Sequence, residues 1–254
     1  MENVLDSIYD FCRKARNKGT SFANGDTDYP ERVKFISNLL EKIGVYYFID
    51  SFQEEIHEGI NFHNVIIPGE SPYIVIAHHD IVSPASDNAN DNSASVINAI
   101  YLKTICPEAT VVLTDSEEIG MYGAKRLSKQ IKDGLFGDIK GVINLELSGV
   151  GGKNIMIGDY PGPLNSKITE MFGAPSFPTP PSDTVAFRKD GIDSTVINPL
   201  PLIKENKSDM KYGDMYFDNS SWWKCHTIYD SVDLISTKDM KEFVEEILLP
   251  LVKK

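Results

Sequence analysis

Four short runs constrain this chain more than anything else in it: YIVIAH (73–78), ATVVLT (109–114), GVINLEL (141–147) and STVIN (194–198). Each is apolar almost throughout and rich in β-branched residues. A strand with one face in water alternates apolar and polar side chains, so runs this short and this apolar read as strands covered on both faces. The cover lies between them. A helix is expected from about Asn92, with Val96, Ile97, Ile100, Tyr101 and Ile105 on its apolar face, and another from about Met121 to Lys132. Apolar strands alternating with helices make a largely parallel or mixed sheet. The expected fold class is therefore α/β, a three-layer α/β/α sandwich with a mixed, mostly parallel central sheet, and residues 1–254 read as a single domain.

The flanks fit that plan. The first segment reads as a helix with Ile8, Phe11, Cys12 and Ala15 on one face. A second helix has Asp28 as a cap, Pro30 early, Val33, Ile36, Leu39 and Leu40 at helical spacing, and Gly44 as its end. VYYFID (45–50) and NVIIPG (64–69) read as further strands, and DMKEFVEEILLPLVKK closes the chain with an amphipathic helix. The Pro-rich stretch APSFPTPPSD (174–183) reads as a loop, and there is no internal repeat.

Composition excludes several classes of partner. A net charge of −12 disfavours nucleic-acid phosphate and anionic membranes. No run of about 18 apolar residues occurs, so no membrane span is expected. The start MENVLDSIYD lacks the basic and apolar regions of a secretory signal, and three scattered cysteines, Cys12, Cys106 and Cys225, make no disulfide framework. A cytoplasmic location is the expectation.

Metal-competent side chains stand directly after the core strands. His78 follows IVIA; Asp91 lies in DNANDNSAS, which opens the next helix; Glu117 and Glu118 follow VVLTDS; Glu146 sits in NLEL; His226 lies in KCHTIYDS. In sheets of this kind ligands bind beyond the carboxyl ends of the strands. Singly, Asp91 reads as a helix cap, His78 as a hydrogen-bonded core residue, and the glutamate pair as a solvated turn. Glu146 resists such a reading, because a buried carboxylate is costly without a partner. Together the carboxylates would repel one another at one sheet edge unless cations neutralised them. Mixed histidine and carboxylate ligation suits zinc, with manganese or cobalt as substitutes. Two ions about 3.5–4 Å apart would need one carboxylate to bridge them.

The segments AHHD, NANDNSASV, DSEEIGMYGA, NLELSG and CHTIYDSVDLI resemble, in order, the motifs of the co-catalytic zinc aminopeptidase family, across roughly residues 73 to 236. That family includes bacterial leucyl aminopeptidases and, more distantly, glutamate carboxypeptidase and glutaminyl cyclase. The resemblance implies a zinc-exopeptidase (phosphorylase/hydrolase-like) sandwich holding two divalent ions, Zn2+ in the first instance. It further implies hydrolysis of N-terminal residues from a peptide or small amino-acid-derived substrate. By the same resemblance His78 and Glu146 hold one ion, Glu118 and His226 the other, and Asp91 bridges both. Asp80 would fix the His78 imidazole. Glu117 would be the general base, moving a proton from the water between the ions to the leaving amine.

This chain departs from the pattern in places. Glu146 stands where many such aminopeptidases have Asp; Glu is familiar there in related carboxypeptidases and deacylases. A carboxypeptidase or N-acyl amino-acid deacylase is thus an alternative, with Arg188 its candidate carboxylate clamp. Glutaminyl cyclase-like chemistry and a non-catalytic binding module are further alternatives; retention of His78 and Glu146 weighs against the cyclase, and retention of the full ligand set and base against the module. In SDTVAF, which resembles the family's SDHxxF stretch, Thr184 replaces the histidine, and Asp183 reads equally as an orienting residue or a loop cap. Cys225 stands where some members carry a tyrosine. His79 is expected to point to the opposite face from His78, and His57 and His63 to lie on the surface. The segment 204–223, with Tyr212, Tyr216, Phe217, Trp222 and Trp223, is a candidate wall of the substrate pocket.

Overall fold

The structure, a computed structural model, describes residues 4–15, 29–82, 86–200 and 224–253. Eight strands form one sheet: β1 (Phe48–Phe52), β2 (Phe62–Ile67), β3 (Tyr73–His78), β4 (Thr110–Thr114), β5 (Gly141–Leu145), β6 (Ile155–Gly158), β7 (Ser176–Phe177) and β8 (Ser194–Pro199). Their order across the sheet is β1-β2-β4-β3-β5-β8-β6-β7. The four apolar runs form the parallel centre, β4-β3-β5-β8, as their continuous hydrophobicity requires. Antiparallel pairings join β1 to β2, β2 to β4, and β8 to β6, so the sheet is mixed.

Helices cover both faces. α1 (Ser7–Lys14), α2 (Glu31–Lys42), α3 (Ala94–Ile105) and α5 (Pro163–Phe172) lie over one face, and α4 (Tyr122–Lys132) and α6 (Thr184–Lys189) over the other. The C-terminal helix α7 (Thr237–Phe243), which continues through a wider turn at Val244–Leu248 into Leu249–Val252, shares the first face. Central strands feed both cores by period-two alternation. Val75, Ala77, Val111, Leu113, Ile143 and Leu145 enter the larger core; Ile74, Ile76, Val112 and Val142 enter the smaller one under α4 and α6. Each of these valine, leucine and isoleucine side chains contributes about 1.5–3 kcal/mol relative to exposure. The same parity carries His78, Thr114 and Asn144 onto the α4/α6 side at the carboxyl ends of their strands, and turns His79 the other way.

Several boundaries differ from the sequence reading. The first strand begins at Phe48, not Val45; Tyr46 before it is 73% exposed, and among the described residues no strand pairs with its outer side. The helix expected from Asn92 begins at Ala94, after a wide turn over Ala89–Ser93 that turns Asp91 and Asn92 out of helical geometry. Pro30 takes the cap position of α2 itself, while Asp28 lies outside the described residues. β6, α5 and α6 were not anticipated, nor was the short β7 inside the Pro-rich stretch. Among the described residues no helix is long and apolar enough to cross a membrane.

Candidate metal centre

Each metal-competent residue named from the sequence arrives at the carboxyl edge of the parallel strands, and a few distances define their arrangement. His78 Nε2 lies 3.2 Å from Asp91 Oδ1 and 3.5 Å from Glu146 Oε2. His226 Nε2 lies 3.1 Å from Asp91 Oδ2 and 3.2 Å from Glu118 Oε2. The two oxygens of Asp91 thus face two half-sites, one of His78 with Glu146 and one of His226 with Glu118. Donor atoms of His78, Asp91 and Glu118 all fall within 4.8 Å of one another, a group that could hold an ion.

The backbone places these side chains at some cost. Asn88, Ser116, Met121, Leu147 and His226 have positive φ without being glycine, and all five lie in the loops at this edge. Such conformations cost of order 1–3 kcal/mol each and persist where surrounding bonds over-determine them. Those bonds are present. The Asp80 carboxylate lies 3.2 Å from His78 Nδ1 and accepts the amides of Glu117 at 3.0 Å and Glu118 at 3.1 Å, so one buried residue sets both the imidazole and the glutamate pair. Asp230 accepts the amides of Asn90 at 2.8 Å and Asp91 at 3.0 Å. Asn92 Nδ2 donates to the Leu145 carbonyl at 2.8 Å, tying the Asp91 loop to β5. Asn144 Nδ2 donates to Glu146 Oε1 at 3.0 Å, and Asn198 Nδ2 to the Glu146 carbonyl at 3.1 Å.

Electrostatics show what the cluster lacks. Burial pushes the Glu117 carboxyl up to about 10, with Glu146 and Asp183 adding to the shift, and pushes Glu118 up to about 8, helped by Asp91 and Asp80. Burial also raises Glu146 and carries Asp183 to about 7. Burial opposes charge on His78, yet Glu146, Asp80 and Asp91 hold it well above the ordinary imidazole value. His226 is raised to about 9, mainly by its bond to Asp91. Glu117, Glu118, Glu146 and Asp183 are thus pushed toward their neutral forms, and His78 and His226 toward their charged forms. A cavity of about 490 Å³ opens onto His78, Asp91, Glu117, Glu118, Glu146 and His226, and among the described residues no lysine or arginine lines it. Two imidazoles and an excess of carboxylates with no basic side chain fit divalent cations of the zinc type.

Other expectations resolve individually. His79 is buried and its Nε2 sits 2.7 Å from the His63 carbonyl, away from the cluster. His63 is not a surface residue: it is 7% exposed, with Nδ1 2.9 Å from Ser51 Oγ and Tyr29 edge-on to its ring, because β2 is covered on both faces. His57 is half-buried against Phe62 and Tyr122. Arg188 stacks over Tyr160 at 4.4 Å and donates to the Ser194 carbonyl at 3.2 Å, so it does not reach the cavity as a clamp. Asp183 precedes α6 without capping it; its carboxylate accepts from Thr114 Oγ1 at 2.6 Å. Cys225 lines the cavity. The aromatic stretch 204–223 lies outside the described residues. Asp230, Asn144 and Asn198 are not among the residues that the sequence marks out. Asn144, a polar residue within the apolar run GVINL, was the visible signal among them.

The fold is shared with solved structures of aminopeptidases and of a glutaminyl cyclase. The LapA aminopeptidase of Legionella pneumophila superposes with a TM-score of 0.67 at 14% identity, covering 98% of this chain and 70% of that one. BSAP, a zinc aminopeptidase from Bacillus subtilis, gives a TM-score of 0.57 at 18% identity, over 77% of this chain and 50% of that one. The glutaminyl cyclase of Porphyromonas gingivalis gives 0.67 at 17% identity and covers 97% of both chains. At such identities the likeness speaks for the fold alone. No curated protein sequence matches the chain. The sequence itself, from residue 64 to 250, matches a family model, and with most of its length so matched the chain belongs to Peptidase family M28.

Proposed function

We propose that this chain is a di-zinc aminopeptidase that removes N-terminal residues from peptides. The observation that carries the reading is the division of the Asp91 carboxylate between His78 Nε2 at 3.2 Å and His226 Nε2 at 3.1 Å, each with its own glutamate. His78 and Glu146 would hold one ion and Glu118 and His226 the other, with the two oxygens of Asp91 facing the two half-sites. Zinc bound there supplies Lewis acidity toward a water and toward the scissile carbonyl. Asp80 keeps the His78 ring in place and fixes the Glu117 backbone. Glu117, on the cavity wall, takes the proton of the attacking water and returns it to the leaving amine.

The direction of cleavage follows from charge. A carboxypeptidase or deacylase needs a cation for the substrate's carboxylate; Arg188 is engaged elsewhere, and among the described residues the cavity wall is acidic. With its carboxylates assigned to the ions and to the base, that wall supports the amino-end reading by offering no basic side chain, among the described residues, to a substrate carboxylate. The test is hydrolysis of aminoacyl, N-acetylated and carboxy-terminal peptide substrates, by metal-free protein and after zinc is restored. Zinc-dependent turnover only of substrates with a free amino end is expected; preference for blocked amino ends would overturn the assignment. The cyclase of nearly equal length motivates a second assay, ammonia release from peptides beginning with glutamine.

A further inference from the structure

α1 and α2 precede the family-matched segment, yet one of their side chains reaches the back of the metal centre. Arg32, in the first turn of α2, is 1% exposed. A guanidinium is expensive to bury, and here Nε and Nη2 are engaged while Nη1 has no hydrogen-bond partner among the described residues. Its Nε donates to the carbonyl oxygen of His79, the residue between His78 and Asp80. Its Nη2 donates to Ser93 Oγ at 2.9 Å, and Ser93 Oγ donates in turn to the Asn88 carbonyl at 2.6 Å, closing the loop that contains Asp91. The Phe11 ring lies 4.0 Å beneath the guanidinium carbon, and the charge of Asp80 acts on it from the metal side.

We propose that Arg32 is a positioning residue for the metal centre: its planar fork braces the His78–Asp80 segment against the Asn88–Ser93 loop and so sets the separation of His78 from Asp91. The inference rests on the reading of those two residues as ligands. Packing alone does not account for an arginine here, since a well-packed apolar side chain would fill the space without the desolvation cost. Nor would a lysine serve as well, because a single ammonium lacks the fork that spans both loops. The N-terminal helices thereby act on the site through one cation.

The test compares Arg32→Met, Arg32→Lys and Ser93→Ala with Leu40→Ala, a buried residue of the same helix. Zinc affinity is read by competition with a chromogenic chelator, ligand geometry by the visible spectrum of the cobalt-substituted protein, and stability by thermal unfolding without metal. R32M is expected to weaken zinc binding by about tenfold or more, to shift the cobalt spectrum, and to lower kcat more than it raises KM. R32K and S93A should fall between it and the wild type. L40A should lower Tm while leaving zinc affinity within about twofold. Wild-type affinity and spectrum in R32M, or an equal loss of affinity in L40A, would overturn the proposal. If R32M does not fold, S93A, which removes one arm of the brace, decides by the same readouts. Zinc binding unchanged by His78→Ala would defeat the ligand assignment itself, an outcome distinct from an inert Arg32.

Discussion

Glu117 and Glu118 are neighbours with their amides on the same aspartate, and their side chains still part company. Both line the cavity, but Glu118 lies 3.2 Å from His226 Nε2, while Glu117 makes no ion pair with an imidazole among the described residues. Their substitutions should therefore separate. Glu117→Gln keeps the shape and removes the proton acceptor, so kcat should fall by roughly 10²–10⁴ with zinc content unchanged. Glu118→Gln should lose zinc from the His226 half-site. Metal analysis beside steady-state kinetics checks both, and loss of zinc in E117Q would show that the roles are misassigned. His78, Glu117, Glu118 and Glu146 were legible in the sequence because each ends or closely follows an apolar strand, whereas Asp91 and His226 lie in loops and stand out through the resemblance of the segments that carry them. Arg32 and Asp230 were not legible, because their partners lie far away along the chain: His79 and Ser93 for Arg32, Asn90 and Asp91 for Asp230. No local pattern encodes that kind of contact.

The loops at the sheet edge are held by carboxylates taking backbone amides, and this is the element-scale device of the fold. Asp230 is the instance most open to test. Removing its carboxylate leaves two buried amides unpaired, at about 1–3 kcal/mol each. Asp230→Ala should lower Tm and weaken zinc binding together, whereas Asp230→Asn, which keeps one acceptor oxygen, should retain part of both. Calorimetry with zinc titration reads this; intact zinc affinity in D230A would mean that the Asp91 loop holds itself. A second constraint is Gly123 in the first turn of α4, where a Cβ would sit 2.6 Å from the backbone nitrogen of Asp115. The helix can approach the glutamate-bearing loop this closely only without a side chain. Long periodic elements such as α2 and α3 were legible, and so were the central strands. The six residues of α6 and the two of β7 were not, since such short elements are stabilised by what they pack against rather than by their own pattern. For α5 the signals were present, Pro163 at its start and Gly173 at φ +63 after its end, yet the flanking stretch did not declare itself as a helix.

For the molecule as a whole, the centre gathers more negative charge than it can bury unaided, so stability should depend jointly on metal and pH. Zinc binding only the folded state adds about 4 kcal/mol at a thousandfold excess over its Kd. Without metal, burial raises Glu118 to about 8 and Glu117 to about 10, against about 4.3 in an unfolded chain. His226 stands at about 9 through Asp91, against about 6.5 unfolded. All three bind protons more tightly when folded. Their contribution is complete below the unfolded values and is lost as pH rises through the folded ones. The chelator-treated protein should therefore lose Tm steadily from pH 5 to pH 9. The zinc-loaded protein should lose far less, because the ions stand in for the protons, and the gap between the two should widen with pH. Self-repulsion from a net charge of −12 acts in the same direction, so the slope alone does not identify the site. Replacing Glu118 with Gln removes one of the titrating groups and should flatten the metal-free curve between about pH 5 and pH 8, where the folded glutamate holds a proton that the unfolded one has lost; a general charge effect would leave that stretch almost unchanged. A metal-free Tm that is flat or rising over this range would mean that the carboxylates are neutralised by groups of the chain itself, and the need for cations at this edge would fall with it.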